Sequence, residues 1–291
     1  MNPIPQVEFR NRPSELQGIE VLDLHQLFER NMPTDHDPYQ HHRPNFFIVL
    51  LITDGQVLHT VDFKQHQLRA GDCLVISKGQ SHAFDPSSSY HGIMTIFTES
   101  YLLKYCPPSA IDRITILYNY FLSPARYKVP DLVDKFSSEF VNEYKVQDLA
   151  VRNHILGGLL TMFLIKLQAS SKIEPPTANG QYLKHFMAFK RLLERHYTAT
   201  RDAKAFAEML GLSYRLLNKV CKEVQQKTAK AFIDDFVTLE IKRQLVSTSL
   251  STKQITYACG FDEPANFVKF FKKHTGLTPT AFRVSLQPVQ L

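Results

Sequence analysis

The last third of this 291-residue chain carries one short pattern twice. Phe206-Ala207-Glu208-Met209-Leu210-Gly211-Leu212 returns 49 positions later as Ile255-Thr256-Tyr257-Ala258-Cys259-Gly260-Phe261. The match then resumes at an offset of 50, pairing Leu217 with Phe267, Lys222 with Lys272, Thr228 with Thr278 and Phe232 with Phe282. A constant offset broken by one residue beside a glycine predicts two copies of one helix-turn-helix unit. In each copy a small side chain, Ala207 or Thr256, falls where the two helices must touch. Gly211 and Gly260 fall where the turn needs a positive φ. The duplication therefore predicts an all-α C-terminal bundle of about seven helices over residues 181–291, with a long connector over 229–246. Thr200 or Asp202 is placed to cap the second helix, and Ser251 or Thr252 the fifth.

Charge separates this third from the rest. Residues 181–291 hold 18 Lys and Arg against 9 Asp and Glu, whereas the remainder holds 16 against 19. A basic module joined to a mildly acidic one has the charge distribution of a nucleic-acid binder attached to something else. The second helix of each pair sharpens that expectation. Leu217, Val220 and Val224 recur on one face of the first, leaving Arg215, Asn218, Lys219 and Lys222 to project. Phe267, Phe270 and Phe271 do the same in the second, leaving Glu263, Asn266, Lys269, Lys272 and Lys273 outward. Arg and Asn suit bidentate contacts with guanine and adenine edges, and Lys suits phosphates.

Upstream, residues from about 45 to 101 read as short strands. The run Phe46 to Ile52 ends at Asp54-Gly55, Val57 to Phe63 is rich in β-branched and aromatic residues, and Cys73 to Ser77 and Ile93 to Phe97 follow. Strands of this length and spacing predict an all-β barrel or sandwich. From about 109 to 170 the period changes to that of helices, through Ile111, Ile114, Leu117, Tyr118 and Phe121, then Leu132, Phe136, Phe140 and Tyr144, then residues 149–168. Residues 171–180, with Pro175-Pro176 and Asn179-Gly180, make the best linker. The predicted organisation is an N-terminal domain over 1–170 (barrel about 20–105, helices about 109–170), the linker, and the helical domain over 181–291. The apolar run 155–165 is eleven residues, short for a bilayer span. Residues 1–20 are polar with no secretory h-region. Cys73, Cys106, Cys221 and Cys259 lie far apart, as reduced buried thiols of a cytoplasmic protein do. No membrane association is expected.

The stretch Ile255 to Pro279, reading Ile-Thr-x-x-x-Gly-Phe, then Phe267-Val268-Lys269-Phe270-Phe271-Lys272, then Thr275-Gly276-Leu277-Thr278-Pro279, resembles the signature of the AraC/XylS transcription regulators. The resemblance covers about a hundred residues. It implies that Arg215, Asn218, Lys219, Glu263, Pro264, Asn266 and Lys269 lie at or near double-stranded DNA, and that the connecting helix sets the separation of two reading heads. Three positions depart from the pattern: Thr256 stands for Ala, Val268 for a small polar residue, and Lys269 for Arg, whose fork geometry Lys lacks. Thr256 brings a hydroxyl to a helix contact and is expected to loosen the second unit. Gly71-Asp72-Cys73 through Ser81-His82 resembles the second cupin motif, with Ser77 where Pro is common. That resemblance implies a cupin-like sensory barrel.

Within that barrel, His82 is expected to point inward, with His41, Arg43, His59, Phe84 and Tyr90 as further candidates for contact with a small-molecule effector. Adjacent His41 and His42 must face opposite ways in an extended segment, and no Glu follows at cupin metal-site spacing, so no metal, cofactor or catalytic group is expected. The expected function is sequence-specific DNA binding in transcription regulation, as a homodimer joined through the helices near 110–170, with RNA polymerase as a further partner. A cupin metalloenzyme with a helical appendage, and a constitutive DNA-binding protein whose barrel only dimerises, stand as alternatives.

Overall fold

The computed structural model describes residues 6–9, 18–29, 37–170 and 180–285. These residues form two compact units, one up to Ser170 and one from Gly180 onward. Most of the expected linker therefore lies outside the described residues, and Gly180 itself opens a helix.

The N-terminal unit begins with β1 (Gln6–Val7), β2 (Ile19–Asp23), α1 (Leu24–Glu29) and β3 (Arg43–Pro44), and continues through β4 (Phe47–Asp54), β5 (Gln56–Val61) and β6 (Lys64–Arg69). It goes on to β7 (Asp72–Ile76), β8 (His82–Phe84), β9 (His91–Phe97), α2 (Glu99–Tyr105), α3 (Pro108–Ile114), β10 (Arg126–Lys128), α4 (Pro130–Tyr144) and α5 (Leu149–Ser170). A five-stranded antiparallel sheet runs in the order β10-β7-β4-β9-β2, and a three-stranded one in the order β6-β5-β8. β4 reads as an unbroken apolar run because both of its faces are buried. Ile48, Leu50 and Ile52 join Val57, Leu68, Leu74, Phe84 and Ile96 in one core. Val49 and Leu51 join Cys73, Val75, Phe97 and the helical residues Phe136, Phe140, Leu160 and Phe163 in another. The expected all-β half with following helices is present.

Several local expectations change. The expected turn at Asp54-Gly55 is present but joins no hairpin, because β4 pairs with β7 and β9 while β5 pairs with β6 and β8. The turn instead carries the chain from one sheet to the other. The tight hairpin is β5–β6, through Asp62 and Phe63 at φ of 45° and 69°, the sign pattern of a type I′ turn. Asp62 tolerates that conformation because its carboxylate accepts from Ser81 N at 3.1 Å and Gln80 Nε2 at 2.9 Å. The helix expected from 109 to 121 stops at Ile114, passes into a 3-10 turn over Thr115–Tyr118, and yields to β10. Asn119, fully buried, ends it by turning its Oδ1 to Phe121 N at 3.1 Å. α5 spans the helix expected over 149–168 and extends to Ser170, 22 residues in all, and by length and composition alone is apolar enough to cross a membrane. Leu156, Leu160, Phe163, Leu164 and Leu167 are buried in the core, while Leu149, Val151, Ile155 and Met162 are exposed.

The C-terminal unit consists, among the described residues, of seven helices: α6 (Gly180–His196), α7 (Ala203–Met209), α8 (Tyr214–Gln225), α9 (Ala229–Ser247), α10 (Thr252–Ala258), α11 (Pro264–Thr275) and α12 (Pro279–Ser285). Asp202 caps α7 and Ser251 caps α10, the latter in a reciprocal capping box with Gln254. The 19-residue connector α9 is about 28 Å long at helical rise.

Candidate nucleic-acid interface and the histidine cluster of the sheet domain

The duplication recurs at the level of single hydrogen bonds. In the first unit Leu212 N donates to Ala207 O at 2.9 Å and Gly211 N to Glu208 O at 2.9 Å; 49 residues on, Phe261 N donates to Thr256 O and Gly260 N to Tyr257 O, both at 3.0 Å. After Asp262, the one inserted residue, the offset is 50. Gln226 N donates to Lys222 O and Gly276 N to Lys272 O, both at 2.9 Å. Thr228 and Thr278 each cap the following helix, through Ala231 N and Ala281 N. α7–α8 and α10–α11 are thus two copies of one helix-turn-helix. Ala207 and Thr256 are both buried at the helix contact. The Thr256 hydroxyl donates to Thr252 O at 2.9 Å, so the departure leaves no unpaired group there and the expected loosening has no structural cause.

Gly211 and Gly260 adopt φ of 64° and 71°. A Cβ on Gly211 would meet nothing within 4 Å, whereas one on Gly260 would lie 2.0 Å from Thr198 O. Gly211→Ala is therefore expected to cost only the left-handed backbone penalty, about 1–2 kcal/mol, and Gly260→Ala distinctly more. Denaturant midpoints of the two variants check this.

Arg215, Lys219 and Lys222 on α8 are exposed, as are Glu263, Pro264, Asn266, Lys269, Lys272 and Lys273 at the start and along α11. Glu263 precedes α11 without capping it, so its carboxylate stays outside the helix's own hydrogen bonding. Lys219 leans on the Tyr182 ring, its Nζ 5.6 Å from the centroid. Asn218 departs from expectation: it does not project. Its Oδ1 accepts from Ala229 N at 3.0 Å and its Nδ2 donates to Tyr214 O at 3.3 Å, which ties α8 to the first turn of α9. Phe270 is only half-buried, its ring tilted against that of His274 at 4.6 Å.

In the N-terminal unit the structure gathers four of the six expected pocket residues. His59 Nε2 and His82 Nδ1 lie 3.3 Å apart, in hydrogen-bond contact. Phe84 packs edge-on to His59 at 4.7 Å and to Tyr90 at 5.1 Å. His41 and Arg43 stand apart. His41 turns to Ser81 Oγ at 3.2 Å and the Phe63 ring, and Arg43 Nε donates to Gly79 O at 2.6 Å, tying down a loop. The inward place belongs to His42, which pairs with His82 across an antiparallel bridge and lies 4.1 Å from it, ring to ring. Phe28 of α1 caps the group, 5.0 Å from Phe84 and 5.6 Å from Tyr90. The opposite facing of His41 and His42 was readable; which of them faced in depended on pairing with β8. Ser77, at the position where the cupin pattern has Pro, donates through Oγ to Tyr118 O at 2.9 Å. Among the described residues, no group of three or more His, Cys, Asp or Glu is placed to hold a metal ion. The four cysteines are free and buried.

Burial, and then the neighbouring His42, His66 and His41, push the His59 imidazole down to about 3. In the unfolded chain it takes up a proton near 6.5. Between these values the unfolded state binds more protons. Stability is thus fully present above about 6.5 and falls with acidification by up to ~1.4 kcal/mol per pH unit. Urea midpoints at about pH 7 and about pH 5 measure the slope, and His59→Phe is expected to flatten it.

Two helix-turn-helix units with basic exposed helices, carried on a chain with a β-sheet domain, have the build of a DNA-binding regulator with an appended second domain. Comparison with known proteins specifies the class. Residues 24–125 match the AraC-like ligand binding domain, and residues 206–285 a helix-turn-helix domain. The activator RhaR of Escherichia coli (strain K12) is 21% identical over 269 residues, covering 85% of this chain and 88% of the relative. The regulator GlxA of Rhizobium meliloti (strain 1021) is 31% identical over 102 residues, 33% of this chain and 31% of the relative. The solved structure of unsaturated fatty acid-bound ToxT from Vibrio cholerae strain SCE256 aligns over 97% of this chain and 99% of its own, at 14% identity and a TM-score of 0.45. These matches make the chain a DNA-binding transcription regulator with an AraC-like ligand-binding domain in its N-terminal half.

Proposed function

We propose that α8 and α11 enter successive major-groove segments on one face of the duplex, about 34 Å apart, and that the N-terminal unit controls this binding through a small effector. The observation that carries the DNA reading is the repetition, bond for bond, of two units whose exposed helices are both basic. Arg215 and Asn266 are assigned to base edges, with Glu263 and Pro264 beside them at the start of α11. Lys219, Lys222, Lys269 and Lys272 are assigned to phosphates. Asn218 is assigned to holding α8 on α9.

The effector site is assigned to His59, His82, Phe84 and Tyr90, with His42 and Phe28 added. At neutral pH the His59 ring is uncharged, so the cluster suits an uncharged or hydrogen-bonding ligand with a flat apolar part. A second copy of the chain is assigned to the exposed apolar residues of α5, which gives a dimer. The chain is assigned to the cytoplasm, where its free buried thiols stay reduced. RNA polymerase is the further partner if it activates, as RhaR is named to do.

Selection of bound duplexes from a randomised pool, with the full-length chain, tests the DNA reading. A recovered pair of boxes supports it, and an unenriched pool counts against it. Thermal-shift screening of small metabolites tests the effector site, since a ligand of the native state must raise the melting temperature and should cease to do so in His59→Ala.

A further inference from the structure

We infer that Arg201 is a positioning residue that locks the second helix-turn-helix unit against the first, and thereby sets which spacing between two DNA boxes the protein accepts. This inference rests on the assignment of α8 and α11 to DNA.

Arg201 stands in the loop between α6 and α7, in the first half of the bundle. Its guanidinium lies over the ring of Phe261, with Cζ 3.6 Å from the centroid. Its Nη2 donates to Gly260 O. Both partners belong to the turn of the second unit. Phe261 is buried and packs edge-on against Phe267, the first inward residue of α11, at 5.3 Å. A continuous line of contact thus runs from the α6–α7 loop to the second recognition helix. A planar guanidinium can stack and donate at once, and an ammonium cannot.

The repeat supplies an internal control. Gly211, the counterpart of Gly260, has open space where its Cβ would stand, while Gly260 has Thr198 O at 2.0 Å. The loop backbone is therefore pressed onto the second turn and onto no equivalent surface of the first. Forty-nine residues after Arg201 the chain has Leu250, whose carbonyl instead receives Arg283 Nη2 at 2.7 Å. The tie is a feature added between the copies, not one inherited within each. Beside it a groove of about 950 Å³ separates Tyr214, at the start of α8, from Tyr257 and Asp262 of the second unit. A gap of that size gives the units room to pivot about α9 unless one end is held.

Spacing is what a pivot would relax. One added base pair moves the second box by about 3.4 Å and rotates it by roughly 35°. A rigid pair of heads must pay for that in lost contacts, and a hinged pair follows the groove.

The test uses full-length wild type, Arg201→Ala and Phe261→Leu on duplexes recovered by selection from a random pool with the wild type. Each is measured on the selected pair of boxes, on the same duplex with one base pair inserted between them, and on a duplex keeping one box only. For wild type the insertion is expected to weaken binding at least about 10-fold; for either variant, about 3-fold or less. Single-box affinity is expected to stay within about 2-fold of wild type, a readout that general unfolding would move. If both variants keep the full spacing penalty, or lose single-box binding as steeply as two-box binding, Arg201 does not set the spacing. Failure of the wild type to enrich a two-box duplex would overturn the DNA assignment itself, and the inference with it.

Discussion

Glu240→Ala is expected to destabilise the helical half by about 3–5 kcal/mol, the largest effect of any single substitution considered for it. Arg243 in the connector α9 is 1% exposed, and its Nη1 meets Glu240 Oε1 at 2.5 Å, itself 4% exposed. Removing the carboxylate takes an anionic partner from a guanidinium held in a site with almost no water, and a cation that cannot lose its proton has no escape through neutralisation. Most domains have only about 5–15 kcal/mol to lose, so the variant should unfold at far lower urea and fail to bind DNA. The far-UV circular dichroism of the full chain reads the loss, because the described residues of the C-terminal unit form helices and no strand. The double variant Glu240→Leu with Arg243→Met removes both charges and should recover most of the stability. Recovery in the double variant separates the loss of the ion pair from mere lost packing. If Glu240→Ala unfolds at the wild-type urea midpoint, the pair is not what holds α9 in place.

Arg215→Ala combined with Lys269→Ala is expected to weaken binding to a selected two-box duplex by about 100-fold, one factor of ten from each head, and to lower the salt slope by about 1–2. Both side chains are exposed, so the melting temperature should not move. Asn218→Ala should behave in the opposite way. It removes the acceptor for Ala229 N, at a cost of about 1 kcal/mol in stability, with sequence preference intact. A double variant with unchanged affinity and slope would remove α8 and α11 from the interface.

The legible parts of this protein share one cause. The 49- and 50-residue offsets were visible because the repeated hydrogen bonds, from the Ala207 and Thr256 carbonyls to the Thr228 and Thr278 caps, are each made by residues a few positions apart. β4 was visible because burial on both faces leaves an apolar run. β6 was not, since in Lys64–Arg69 only Leu68 is buried and its other residues read as polar loop. β10, three residues long, has too little pattern to distinguish it, and α2 was concealed at the end of β9. The exposed side chains of α8 and α11 were largely placed by helical period alone. Asn218 was the exception, because a side chain on the right face can still be drawn back by the next helix.

Local chemistry written along the chain thus settled the two helix-turn-helix units, their caps, their glycine turns and the division into a sheet half and a helical half. Folding in three dimensions settled that His42, not His41, joins His59 and His82, because the choice depends on which strand lies opposite. It also settled that Arg201 reaches Phe261 and Gly260, sixty and fifty-nine positions away. Contacts within a turn or a cap follow from neighbours in sequence, whereas contacts between strands or between repeats depend on how distant segments are brought together.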